Sequence, residues 1–137
     1  EDPTAECRRM EELFERGIRI KKDLAELWMN RGFGRTVWGL YRAATRENPL
    51  EDWKRAEEDF EAALGIRSDL SWAYFCRAEM RFNRGSYYEL QGEKDKSSRN
   101  FADAVVDYEE AQRRTPSYEK LIRTRLAEAR QKAKSEY

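Results

Sequence analysis

Residues 11–41 read EELFERGIRIKKDLAELWMNRGFGRTVWGLY, and residues 57–87 read EEDFEAALGIRSDLSWAYFCRAEMRFNRGSY. The second stretch repeats the first without a gap, at a constant offset of 46 residues. Self-similarity at a period of about 20 to 50 residues is typical of stacked-repeat proteins, in which each unit buries its apolar face against a neighbour. The identical positions include Phe14/Phe60, Asp23/Asp69, Arg31/Arg77, Arg35/Arg81 and Gly39/Gly85.

Apolar residues recur at helical spacing along the whole chain, and this pattern predicts about six antiparallel helices and no strand. Helix ends are predicted from residues whose side chains suit a cap or a left-handed backbone. The predicted ends are Ile18 for the first helix, Asp23 as the cap of the second, Gly65 as the end of the third, Asp69 as the start of the fourth, and Ser97 or Ser98 as the cap of the fifth.

The charges of the chain are numerous and balanced. Lys and Arg number 27, Asp and Glu also number 27, and the two signs are interspersed. A protein without net positive charge lacks the field that draws a binder to nucleic acid or to an anionic membrane. No stretch approaches the about 18 consecutive apolar residues of a membrane span. We therefore predict a soluble protein that binds no nucleic acid and does not insert into a membrane.

Histidine is missing from the chain, and this excludes several kinds of catalytic site. Nucleophilic pairs of Ser or Cys with His, and His metal ligands, cannot form. The sequence also lacks the Gly-Lys-Ser/Thr end of a phosphate-binding loop. Cys7 and Cys76 are too few and too distant for a disulfide framework or a zinc site, which favours a reducing, cytoplasmic location. We predict no enzyme activity, no cofactor and no metal.

Two local spacings recur on alternate helices. The odd-numbered helices carry Met or a small residue, then an aromatic residue, then a small residue: Met10-Phe14-Gly17, Ala56-Phe60-Ala63 and Ala104-Tyr108-Ala111. The even-numbered helices carry an aromatic residue, then Arg, then a small residue: Trp28-Arg31-Gly32 and Tyr74-Arg77-Ala78. Together these spacings resemble the tetratricopeptide repeat. Arg31 and Arg77 replace a Leu of that repeat, and we expect their guanidinium groups to lie in water.

The resemblance implies an all-α, right-handed superhelix of paired helices, a tetratricopeptide-like solenoid. Such repeats recur at about 34 residues, whereas Phe14, Phe60 and Tyr108 are spaced by 46 and 48 residues. The hairpins are therefore a long variant, similar to segments of large multidomain bacterial signalling proteins. The implied parts are 1–22 as the second helix of a partial repeat, 23–68 and 69–116 as long repeats, and 117–137 as a capping helix.

The even-numbered helices of a tetratricopeptide array line a concave groove that holds an extended peptide or a partner helix. The resemblance therefore implies a protein-protein interaction module, acting as a scaffold or as a regulatory part of a larger protein. The alternative is a structural module that forms homo-oligomers and has no dedicated ligand. Aromatic residues of the groove can be binding anchors or core residues. The predicted groove residues are Met29, Asn30, Phe33, Val37, Trp72, Phe75, Glu79, Phe82, Asn83 and Lys120.

Overall fold

The computed structural model describes residues 3–134, which form six α-helices and one short 3-10 helix. These described residues contain no strand, so the all-α prediction is confirmed. The 3-10 helix, Pro116–Tyr118, lies between the last two α-helices. The α-helices are α1 (Pro3–Ile20), α2 (Ala25–Ala44), α3 (Leu50–Ile66), α4 (Ser71–Leu90), α5 (Lys94–Arg114) and α6 (Glu119–Ala133).

The helices belong to two compact units, and the boundary between the units lies between Ser68 and Asp69 in the chain. In the first unit α2 and α3 pack closely as a hairpin, and α1 packs on α2. In the second unit α4 and α5 form the corresponding hairpin, and α6 packs on α5. Each unit therefore contains one hairpin and one additional helix.

In each hairpin, a small residue of the even-numbered helix lies against a fully buried aromatic residue of the odd-numbered helix. A Cβ atom on Gly32 would lie 2.8 Å from the ring of Phe60, which has no exposed surface. In the second unit, Ala78 and Tyr108 belong to one buried cluster and are likewise fully buried. A small side chain allows the two helices of a hairpin to approach closely, and the aromatic ring fills the space between them.

A second pair of contacts of this kind lies nearer the tips of the hairpins. Gly39 lies against the indole ring of Trp53, and a Cβ atom at this position would overlap that ring. The indole N–H of Trp53 donates to the carbonyl oxygen of Thr36 at 3.1 Å, which fixes the ring. In the second unit, a Cβ atom on Gly85 would lie 3.0 Å from the ring of Phe101. Trp53 and Phe101 are both buried, so these contacts extend the core toward each tip.

The helices α2 and α4 end in the same backbone conformation. Arg46 has a φ of 65° and Gly92, at the equivalent repeat position, has a φ of 77°. The next backbone N–H, of Glu47 or of Glu93, donates to the carbonyl five residues earlier, at 2.7 Å and 2.9 Å respectively. This hydrogen-bond pattern is the Schellman motif, which usually places Gly at the left-handed position. The first unit instead places an Arg there.

Several predicted helix ends are wrong. Asp23 and Asp69 lie one residue before the N-caps of α2 and α4, and neither N-cap makes a side-chain hydrogen bond. Gly65 lies inside α3, which continues for one more residue. Ser97 and its neighbour lie inside α5, where the buried hydroxyl of Ser97 donates to the carbonyl oxygen of Gly85 at 2.9 Å. A buried hydroxyl requires a partner, and for Ser97 the partner is the backbone of the facing helix.

Candidate functional site

A buried carboxylate holds two arginines in the first hairpin. Arg31 donates to Asp59 through Nε and Nη2, at 3.1 Å and 2.8 Å, and Arg35 donates to the same carboxylate at 2.9 Å. The side chain of Asp59 is 3% exposed. Arg35 also donates two hydrogen bonds to Glu11 of α1, and these bonds lower the pKa of Glu11 below its usual value. The first unit thus contains a cluster of two acids and two arginines across its three helices.

The second hairpin repeats this arrangement. Arg77 donates to both oxygens of Asp107, at 2.8 Å and 2.9 Å, and Arg81 donates to one of them at 2.8 Å. The prediction that Arg31 and Arg77 keep their guanidinium groups in water is therefore wrong, because their side chains are only 15% and 16% exposed. A buried carboxylate is costly unless charged partners satisfy it. Each cluster is accordingly a structural element of its hairpin.

One side of α2 exposes apolar side chains to solvent. Phe33 is 51% exposed and Val37 is 48% exposed, and Leu40 and Tyr41 are exposed as well. Together with the exposed Asn30, these residues recur at intervals of three and four, so they lie on the same side of the helix. We call these five residues the α2 face.

No charged side chain belongs to the α2 face. The helix has four charged residues, and each is paired elsewhere within the first unit. Its first two arginines bind the buried carboxylate described above, Glu26 binds Arg67 at 2.6 Å, and Arg42 binds Asp52 at 2.8 Å. Glu26 lies four residues before Asn30 on the same side of α2, so it marks the N-terminal edge of the α2 face. Because 39% of the residues in this chain are charged, an exposed helix side without a charge from Asn30 to Tyr41 is a distinctive surface.

A cavity of about 650 Å³ opens between α1 and α2 beside this face. Its walls are mainly apolar, with Met10 and Phe14 contributed by α1 and Phe33 and Val37 by α2. The volume lies within the range of about 300 to 1,000 Å³ that is usual for ligand pockets. We call this cavity the α1–α2 pocket. It is lined by Glu6, Cys7, Met10, Phe14, Asn30, Phe33, Gly34, Val37 and Trp38.

The surroundings of both cysteines disfavour the thiolate form. Both thiols are free, and burial raises the pKa of Cys7 and raises that of Cys76 to about 12. Because the thiolate is the reactive form, a raised pKa lowers the reactivity of both thiols, and of Cys76 the more strongly. Cys7 therefore serves as a small wall residue of the pocket.

Asp52, which pairs with Arg42, is also partly buried. Its burial raises the pKa of its carboxyl, against the lowering effect of Arg42.

In the second unit, two predicted groove residues of α4 make contacts with α5 and α6. Glu79 accepts a hydrogen bond from the hydroxyl of Tyr108 and lies 3.8 Å from Arg125 of α6. Burial and the neighbouring carboxylate raise the pKa of Tyr108, which keeps its hydroxyl protonated as a donor. Phe82 is buried, with its ring edge-on to Phe101 at 5.2 Å and the guanidinium of Arg125 above it at 4.4 Å. Glu79 and Phe82 thus have partners within their own unit, whereas the buried Nη1 of Arg125 makes no hydrogen bond to a described residue.

The start of α4 carries an aromatic group that includes two further predicted groove residues. Trp72 lies 4.8 Å from Phe75 and 5.6 Å from Tyr118, measured between ring centroids. Trp72 is 37% exposed and Phe75 is half-buried, so part of this group is open to solvent. Of the other predicted groove residues, Met29 is buried, Asn83 is half-buried, and Asn30 and Lys120 are exposed.

The prediction from sequence missed Asp59 and Asp107, the centres of the two charge clusters. A signal for them exists, because each directly precedes the buried aromatic residue of its helix. It also missed Leu40 and Tyr41 as parts of the α2 face. Their spacing from Phe33 and Val37 is the signal that could have identified them.

The part of the chain that the structure describes contains no helix that is both long and apolar enough to cross a membrane. Within the same residues, no group of three or more His, Cys, Asp or Glu side chains is placed to hold a metal ion. Comparison of the chain with protein-family models, with curated proteins and with solved structures finds no match.

Proposed function

We propose that this chain is a protein-protein interaction module that binds a peptide or a partner helix through the α2 face and the α1–α2 pocket. It would act as a scaffold or regulatory part of a larger protein and has no catalytic role. The observation that carries the proposal is the uncharged, exposed α2 face beside an apolar cavity. Contiguous exposed apolar surface of this kind is typical of protein-binding sites.

The energetic reason for this choice is the apolar area that a partner would cover. Phe33 and Val37 are each about half exposed. Complete burial of such a side chain contributes about 1.5–3 kcal/mol, so covering the remaining half of each contributes on the order of 1 kcal/mol. The pocket between them and α1 can accept one large apolar side chain, and such buried anchors dominate many interfaces.

The predicted groove on α4 enters the proposal in a smaller role. Glu79 and Phe82 already have partners in the second unit, whereas Trp72 and Lys120 are exposed and remain available. We therefore assign the main recognition surface to the first unit. We also propose that the two hairpins are tetratricopeptide-type repeats, which is supported by the small residue packed on a buried aromatic residue in each. The free thiols favour a cytoplasmic location.

Self-association is a second candidate function, and the neutrality of the α2 face favours it. A symmetric dimer places the same surface of both copies together, so a like charge near the two-fold axis would face its own copy. The five residues of the α2 face have no charge, so this repulsion is absent among them. Sedimentation velocity at two protein concentrations tests this candidate, because a purely monomeric chain excludes it.

The main proposal is tested by selecting ligands from a peptide library displayed on phage. We expect enriched peptides whose affinity falls at least tenfold when Phe33→Glu or Val37→Glu places a charge on the α2 face. Val106→Glu on α5 is the matched control, because Val106 is also exposed, at 62%, and lies in the second unit. Thermal melting should be unchanged in all three variants. The proposal is rejected if no selected ligand loses affinity with either α2 variant.

A further inference from the structure

The helix α1 repeats the sequence pattern of α3, but its aromatic residue is not covered as that of α3 is. Phe60 of α3 is fully buried beneath Gly32 of α2. Phe14 holds the equivalent position in α1, yet it is only half-buried and lines the α1–α2 pocket. The pocket therefore lies on the ring that a hairpin partner of α1 would cover.

We infer that the α1–α2 pocket binds an amphipathic helix of a partner protein, which packs on α1 in the way that α2 packs on α3. This inference rests on the proposed function and specifies its ligand. The template is internal to the chain, because α2 on Phe60 and α4 on Tyr108 show the same packing twice. The first requirement on the partner helix is thus a small residue facing Phe14, in the role of Gly32.

Two differences between α1 and α3 specify further features of the partner helix. Leu13 stands where α3 has Asp59, and Leu13 is 64% exposed. The partner therefore needs an apolar residue there, in place of the arginine pair that α2 directs at Asp59. Cys7 stands where α3 has Trp53. The smaller Cys leaves room, so the partner can carry a large apolar residue at the position that Gly39 holds in α2.

The charge pattern of the pocket supports the same type of partner. Among the described residues that line it, Glu6 is the one charged side chain, and Arg9 binds its carboxylate at 2.7 Å. The charged residues of α2 are directed to partners within the first unit. Apart from Glu6 the wall has no charge, and such a wall discriminates against a partner that would bury an unpaired charge there. The docking side of the partner helix should therefore be uncharged.

The probe for this inference is a fluorescent peptide with the sequence of α2, Ala25–Ala44, carrying Arg31→Leu, Arg35→Gln and Gly39→Leu. The changes at Arg31 and Arg35 remove side chains that need Asp59, and the change at Gly39 fills the space beside the smaller Cys7. A matched control peptide adds Gly32→Leu, which should collide with Phe14. We expect saturable binding of the probe by fluorescence anisotropy, and at least tenfold weaker binding of the control peptide.

Variants of the protein provide a second readout. Val37→Glu should weaken binding of the probe at least tenfold, and Val106→Glu should leave it unchanged. Saturating probe should also slow alkylation of Cys7 by iodoacetamide, because Cys7 lines the pocket. Cys76 is 2% exposed and lies outside the pocket, so its slow labelling should not change.

The inference is overturned if the probe does not bind, if the control peptide binds equally well, or if Val37→Glu has no effect. A dimer of the chain that Val37→Glu dissociates would assign the pocket to a second copy and would also overturn it. If the designed helix fails while library peptides still require Val37, the helix inference is wrong and the proposed function stands. If neither ligand requires Val37, both are wrong.

Discussion

The two hairpins have the same interior and different exposed sides. Both contain a carboxylate bound by two arginines and a small residue packed on a buried aromatic ring. On the outer side, Phe33 and Val37 of α2 correspond to Glu79 and Asn83 of α4, 46 residues later. Glu79 is bound within the second unit, whereas Phe33 is half exposed. The two copies of the repeat therefore share the residues that pack and pair inside the hairpin. They differ in the exposed residues that a ligand could contact.

The additional helix of each unit accounts for part of this difference. In the second unit, α6 places Arg125 beside Glu79 and over Phe82, and Lys132 of α6 binds Glu89 of α4 at 2.9 Å. Polar and aromatic residues of α4 therefore have fixed partners. In the first unit, α1 packs beside α2 but leaves a pocket between them. Equivalent helices thus carry different surfaces because their neighbouring helices cover them to different extents.

Removal of the buried carboxylate should have the largest effect and tests whether the interiors are equivalent. Asp59→Ala and Asp107→Ala each leave two arginines without their buried acid, so each should lower the free energy of unfolding by about 3–5 kcal/mol. Urea unfolding followed by far-UV circular dichroism measures this. Asp103→Ala, at an exposed position of α5, should change stability by less than about 0.5 kcal/mol. If only one of the two substitutions strongly lowered the free energy of unfolding, the interiors of the two hairpins would not be equivalent.

Addition of one methyl group at each hairpin tip should have an intermediate effect and should distinguish the units. Gly39→Ala forces a Cβ atom into the buried, hydrogen-bonded indole of Trp53, which should cost about 1–3 kcal/mol. Gly85→Ala needs a smaller displacement of Phe101, and the helix propensity of Ala offsets up to about 1 kcal/mol. We therefore expect a net change within about 1 kcal/mol at Gly85, measured by urea unfolding. Equal losses at the two positions would contradict this difference.

Substitutions at Arg46 and Gly92, the two positions with a left-handed backbone, should have the smallest effect on stability. Arg46→Gly should stabilise the first unit by about 0.5–1 kcal/mol, because Gly adopts a φ of 65° without steric cost. Gly92→Ala should destabilise the second unit by about 1 kcal/mol for the opposite reason. Thermal melting measures both changes.

The control for the left-handed positions is Gly65→Ala. At both Gly65 and Gly92 an added Cβ atom would meet open space, but Gly65 lies inside α3 and has no positive φ. Gly65→Ala should therefore stabilise the protein by up to about 1 kcal/mol through helix propensity. Destabilisation at Gly65 would show that backbone conformation does not explain the effect at Gly92.

The sequence predicted the helices well because their apolar periodicity extends over many residues. It predicted the helix ends less well, since a single exposed side chain such as Asp23 competes weakly with other ways of satisfying a helix terminus. The burial and pairing of the guanidinium groups of Arg31 and Arg77 could not be predicted from the sequences of their own helices. Their partners lie 28 and 30 residues away in the chain, so only the packed hairpin brings each guanidinium to its carboxylate.

The candidate site was predicted only in part, because a contact with a helix that is distant in the sequence decides which residues are exposed. Asn30, Phe33 and Val37 were expected to face a ligand, and all three line the α1–α2 pocket. Whether an apolar residue of α4 is exposed depends on α6, which covers Phe82 with an arginine from more than 40 residues away. Helical spacing reports which residues share a side of a helix, but not which neighbouring helix covers that side.

The charge clusters also determine how a chain of this kind can lengthen during evolution. Asp59 and Asp107 each receive both arginines from their own hairpin. A duplication or deletion of the second hairpin would therefore carry Asp107 and its two arginines together, whereas loss of the first hairpin would leave Glu11 of α1 without Arg35. Two residues inserted at the tip change the separation from 28 to 30 without breaking the cluster. The second hairpin can thus be gained or lost without separating its buried carboxylate from the arginines that bind it.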